Sequence, residues 1–203
     1  MREISSATRE AAEDIFFGQL VLILARWSLI LAAAAHVLWG ASDQATLLVA
    51  VLPLVALMAL NFYVHGRYLT ERPVNPAFLM TASVLDLAFI TAMIVLGPGP
   101  RGFGSPLFVL YYPLLLAAAF VYPRWFTGAC LLAGMAGYIG ACLATAAPFL
   151  EDGRHLEVLV QRLTVGTAVA GLGTYYWRIQ RRRRAAVAGM NGRSQVHAQK
   201  RAS

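Results

Sequence analysis

Charge is what this chain has least of. Asp, Glu, Lys and Arg make up only 13% of its 203 residues, about half the share usual in a soluble domain. Hydrophobic residues reach 59% and the mean hydropathy is +0.61. With apolar runs of about 20 residues recurring along the chain, this excludes an ordinary soluble domain. The class implied is an all-α polytopic integral membrane protein.

Cysteine is scarce as well: Cys130 and Cys142 are the only two. They fall in one apolar run, and as helix positions they lie ~18 Å apart, too far to bridge each other. They read as small packing residues. The catalytic and metal-binding spacings CxxCH, HExxH, GxSxG and the P-loop are all missing, so no residues are marked to carry enzymatic catalysis. A cleavable leader is not expected either. Residues 1–14 are of mixed charge, and the apolar run after them is too long for a signal core.

What is present is a series of six apolar runs. Span 1 is expected from about Phe16 to Trp39, after a short surface segment over residues 1–15. Span 2 follows from about Ala45 to Val64, with a kink at Pro53, and a polar loop runs from His65 to Pro76. Span 3 covers about Ala77 to Leu96. A Gly/Pro-rich turn then leads into span 4, about Leu107 to Val121. Pro123-Arg124 forces a reversal into span 5, about Trp125 to Ala147. Span 6, about Leu156 to Trp177, closes a membrane domain over residues 16–177. A basic tail occupies residues 178–203.

Arginine and lysine placement orients the chain. Arg2, Arg9, Arg67, Arg72, Arg124 and the eight basic residues from Arg178 onward fall on the face holding both termini, against Arg101 and Arg154 on the other. Thirteen against two puts both termini in the cytoplasm. The run Arg181, Arg182, Arg183 and Arg184 reads as a stop-transfer anchor that can also hold anionic lipid or an acidic partner. Without a folded domain or interleaved aromatics around it, nucleic acid is not expected there.

Ionisable groups at bilayer depth need a partner or a role. Arg26 lies ~15 Å into span 1, and Asp86 ~13–14 Å into span 3 from the same face. Equal depth predicts an ion pair, read either as a pin between helices or as part of a polar site. Asn61 sits late in span 2. Arg162 lies in the outer third of span 6, where Glu157, Glu151, Asp152 or carbonyls of the Gly/Pro turn are its expected acceptors. His36 and His155 near the outer face, and His65 near the inner one, read as interfacial residues rather than haem ligands. Small residues Ala133, Gly137 and Ala141, and Gly166, Ala170 and Thr174, form rows that allow close helix packing, within the bundle or across a dimer seam.

With Arg26-Trp27, Asn61, Asp86 and the segment Ser-Pro-Leu-Phe-x-Leu-Tyr (Ser105 to Tyr111) in view, the chain resembles the six-helix membrane input module of bacterial sensor histidine kinases over residues 20–180. In redox-responding members a Gly-Gly-x-x-Asn-Pro-Phe segment at this place is associated with quinone sensing. The resemblance therefore implies a bacterial inner membrane as the location and a ligand site at Ser105, Pro106 and Phe108, with Arg162 nearby, for a quinone or a bound lipid. Here Gly-Phe-Gly-Ser-Pro-Leu stands in place of that segment. After span 6, Gly189 and Gly192 are expected to interrupt any output helix, and His197 lacks the His-Glu setting of a phosphoacceptor. The expectation is a non-catalytic membrane protein, an accessory or scaffold subunit of a larger respiratory or photosynthetic complex. The alternative is a sensor-like module that binds a lipophilic ligand and signals through a separate partner.

Overall fold

The computed structural model describes residues 6–41, 43–72, 74–145 and 153–202, and the side chains of those between 17 and 179. The described chain is all-α: α1 Ser6–Gly40, α2 Gln44–Leu69, α3 Pro76–Leu96, α4 Tyr111–Val121, α5 Arg124–Thr145 and α6 Gly153–Ala202. Four of these, Phe17–Gly40 within α1 together with α2, α3 and α5, are long and apolar enough to cross a membrane. The shorter apolar segment Pro106–Val121 contains α4. In α6, Arg154, Glu157 and Arg162 crowd the first ten residues and lower its apolar character.

Local chemistry sets the helix starts. Asp43 caps α2, its carboxylate accepting from the Thr46 amide at 2.8 Å and from the Thr46 hydroxyl at 2.7 Å, which satisfies a first-turn donor. Asn75 caps α3 through Ala77 N at 2.9 Å, with Pro76 at the first position, where its lacking N–H costs nothing. Pro123 performs the reversal before α5: its carbonyl accepts from Phe126 N and Thr127 N. The Thr127 hydroxyl then donates back to Ala118 O of α4 at 3.1 Å.

Three boundaries differ from the sequence reading. α1 is continuous from Ser6, so the described part of the N-terminal segment extends span 1 rather than preceding it. α2 runs through Pro53 and on to Leu69, taking in His65 and Arg67 that the sequence assigns to a loop. α6 continues through Gly189 and Gly192 to Ala202. One glycine costs a helix only about 1 kcal/mol against alanine, and the Ala, Arg, Gln and Met around these two are good helix formers. The division between residues 177 and 178 is thus not a break in the backbone.

α4 occupies the middle, packed on α1, α5 and α6, and α3 packs on α5. Its Ala117, Ala118 and Ala119 are all buried, and small side chains there let three helices approach. Outside, leucines face away from the protein: Leu24, Leu31 and Leu38 of α1 and Leu48 and Leu52 of α2 are exposed, while Gln19, Arg26, Asn61, Ser83 and Asp86 are buried. Polar inside and apolar outside is the arrangement lipid requires, because only internal partners can satisfy a polar group there.

Candidate functional site

The Gly/Pro turn builds the first half of the site. After Gly97 ends α3, the chain makes a 3-10 turn over Gly102–Gly104 and a second over Pro106–Leu110 before α4 begins. The first turn of the predicted span 4 is therefore 3-10 rather than α. Gly102 has φ +54, and a Cβ there would overlap the Thr145 hydroxyl of α5. Both restrictions single out glycine. Gly102→Ala is expected to destabilise the protein by about 1–3 kcal/mol and to loosen the turn first, seen as faster amide exchange at 101–105 than in α5.

Ser105 and Pro106 do not reach the site that Phe108 and Arg162 form. The Ser105 side chain is buried and accepts from Leu107 N at 3.3 Å, capping the second 3-10 turn. Pro106 is its first residue and faces outward. Both act by shaping the turn: they aim Phe108 inward.

Phe108 meets Arg162 of α6, whose guanidinium carbon lies 3.7 Å from the ring centroid. Phe103 stands 4.8 Å from the same carbon. Two aromatic faces hold one cation, an attraction of up to ~2 kcal/mol when desolvated. Arg162 Nη1 donates to Phe103 O at 2.9 Å and to the Tyr138 hydroxyl. Of its expected acceptors, the turn carbonyl is the one used; Glu157 is exposed, and Glu151 and Asp152 lie outside the described residues. Tyr112 adds a bond to the Arg162 carbonyl at 3.3 Å, and His155 packs edge-on against Phe103, centroids 4.8 Å apart. Nε and Nη2 of Arg162 have no protein acceptor among the described residues.

These groups border a narrow recess between α4, α5 and α6 with a cavity volume of about 30 Å³. Phe108, Tyr111, Tyr112 and Tyr138 supply aromatic walls, Leu115 and Met135 aliphatic ones, and Arg162 the charge. Gly134 and Gly166 make the space: a Cβ on Gly134 would sit 3.4 Å from Tyr111, and one on Gly166 3.6 Å from Tyr112. The predicted small-residue rows thus serve packing inside the chain in part. Gly137 lies close against Thr91 of α3 and Ala141 is buried, whereas Ala133 is exposed.

A second polar group lies deeper in the bundle. Arg26 Nε donates to Asp86 Oδ1 at 2.9 Å and Oδ2 at 3.0 Å, and Nη2 to Oδ2 at 2.7 Å. Both side chains are 1% exposed, so the pair has almost no solvent screening. It links α1 to α3, which do not pack closely along their backbones. Beside it, Ser83 and Tyr122 share a hydroxyl hydrogen bond of 2.8 Å. Gln19 joins the end of α2 to the following loop, donating to Val64 O at 2.9 Å and accepting from Val74 N at 3.3 Å. Arg26 Nη1 and the Asn61 amide are buried without a hydrogen-bond partner. Asn61 is three residues from Val64, ~4.5 Å along α2, so it is placed between the levels of Gln19 and Arg26.

Arg26, Asp86, Phe108 and Arg162 stand out in the sequence, whereas Phe103, Tyr112 and Tyr138 do not. The signal available for Tyr138 was an amphipathic aromatic inside a run of small residues, a place where its hydroxyl must find a partner. The side chains of Arg181, Arg182, Arg183 and Arg184 lie outside those described; their backbone continues α6. No group of three or more His, Cys, Asp or Glu side chains able to hold a metal occurs among the described residues. Comparison with known protein families, with curated proteins and with solved structures finds no match to this chain.

Proposed function

We propose that this chain is a sensor-like module of six membrane spans, with both termini in the cytoplasm of a bacterium. It binds a lipophilic, carbonyl-bearing ligand of the quinone class in the Arg162 recess. The observation that carries this reading is the held cation: Phe103 and Phe108 flank Arg162, and one of its nitrogens is anchored to Phe103 O and Tyr138. A planar ring that parts the Tyr and Phe walls of this narrow recess can lie against them while a carbonyl oxygen accepts from Nε or Nη2. An arginine only donates, so it discriminates between ligand states by how well their oxygens accept. Ligand state is then passed on by α6, which carries Arg162 near one end and extends for 50 residues, roughly 75 Å, to the basic segment and a separate partner.

The accessory-subunit reading makes no use of this recess, and a binding measurement separates the two. The full chain in lipid nanodiscs, titrated with a short-tailed benzoquinone, is expected to show saturable quenching of tyrosine and tryptophan fluorescence. Phe108→Leu is expected to weaken that binding about tenfold, equivalent to ~1.4 kcal/mol. Quenching that rises linearly without saturating, and equally in both proteins, would instead leave only the accessory or scaffold role.

A further inference from the structure

α6 packs chiefly on α4 and more loosely on α5, which leaves a groove between α5 and α6. It lies toward the end of the bundle where the basic segment of α6 emerges. Its volume is about 360 Å³. Gly128 and Leu131 of α5 face Gly171 and Thr174 of α6 along its walls, and Arg124 and Arg178 also line it. A Cβ on Gly128 or Gly171 would meet nothing within 4 Å, so these glycines leave open space rather than a tight contact.

A groove of this kind at bilayer depth is filled by hydrocarbon or by another helix. The charge decides between them. Arg124 and Arg178 are exposed and have no acidic partner among the described residues. Arg124 is also the first residue of α5, where the earliest backbone amides bonded to Pro123 O are those of Phe126 and Thr127. The positive end of that helix therefore adds to the two guanidiniums. A second copy docked symmetrically through the same surface would bring four guanidiniums together. A phosphate relieves the charge that a second copy would double.

We propose that this groove is a specific site for an anionic phospholipid. The phosphate lies between Arg124 and Arg178, and one acyl chain runs past Gly128, Leu131 and Gly171. The site is distinct from the Arg181–Arg184 segment, which attracts anionic headgroups without a shaped cavity being needed.

The test is native mass spectrometry of the full chain released from nanodiscs of equimolar phosphatidylglycerol and phosphatidylcholine. The unaltered protein is expected to keep one phosphatidylglycerol, preferred about tenfold. Arg124→Gln with Arg178→Gln is expected to abolish the preference. Gly128→Leu with Gly171→Leu fills open space and is expected to expel the lipid while the helical circular dichroism and melting temperature hold. Neutralising Arg181 to Arg184 is expected to leave the retained lipid in place, and millimolar inorganic phosphate is expected not to displace it. Retention of the lipid in both double variants overturns the proposal. So does displacement by inorganic phosphate, which makes the site one for free phosphate. A lipid-free dimer that the glycine variants split overturns it too, because a second copy then covers the groove.

Discussion

Arg26→Met is expected to destabilise the bundle by about 3–5 kcal/mol, the cost of leaving the other partner of a buried pair uncompensated. Asp86→Leu is expected to do the same from the other side, since both side chains are 1% exposed. The double variant is expected to recover most of the loss, because two apolar residues of similar volume need no counter-ion. Hydrogen bonds within membranes average only ~0.6 kcal/mol in double-mutant cycles. A single-variant effect several times larger therefore measures the stranded charge rather than the bonds. Melting of the four proteins in one nanodisc composition checks this. A coupling energy below ~1 kcal/mol would mean that water or lipid already compensates each charge alone. A role in ligand binding predicts something different: recovery of stability in the double variant without recovery of binding.

Arg162→Met is expected to lower ligand affinity at least about 100-fold. The substitution removes a cation worth up to ~2 kcal/mol to the aromatic faces and a charged donor worth ~1.5–3 kcal/mol to a ligand oxygen. It also frees Phe103 O and the Tyr138 hydroxyl from their common partner. Arg162→Lys keeps the charge but loses the planar fork, and an intermediate loss of about tenfold is expected. The stability cost should be smaller than at Arg26, because Arg162 is only half-buried. Titration of the three proteins with the same benzoquinone, with melting run in parallel, separates lost binding from lost fold. Equal affinity in all three would place the ligand elsewhere.

Much of the architecture was legible because lipid makes composition a strong signal. Runs of ~20 apolar residues predict helices directly, and α3 and α5 begin within a residue of the expected positions. Helix rise alone places Arg26 and Asp86 at one depth, since both residues lie on long uninterrupted helices. Helix ends were harder to place. α2 carries its polar residues His65 and Arg67 inside its last turns, and Gly66 between them does not stop the helix. Gly189 and Gly192 do not break α6, because a propensity penalty is small beside the good helix formers around it.

The site was only partly legible for a different reason. Phe108 and Arg162 announce themselves, one by its place in the turn and the other by its charge. Ser105 looks functional in the sequence but spends its hydroxyl on Leu107 N. Phe103 and Tyr138 matter through their approach to Arg162, separated from it by 59 and 24 residues. That proximity is set by how α4, α5 and α6 pack, and no periodicity within one helix encodes it.

Photolabelling tests most directly whether the Arg162 recess takes a lipophilic, carbonyl-bearing ligand. The full chain in nanodiscs would be irradiated with a photoactivatable benzoquinone and the labelled peptides sequenced. Label is expected on the segments carrying Phe108 to Leu115 and Gly134 to Tyr138, suppressed by excess unlabelled quinone and absent in Arg162→Met. Label spread over the lipid-facing leucines of α1 and α2, unchanged by competitor or by the Arg162 substitution, would contradict it.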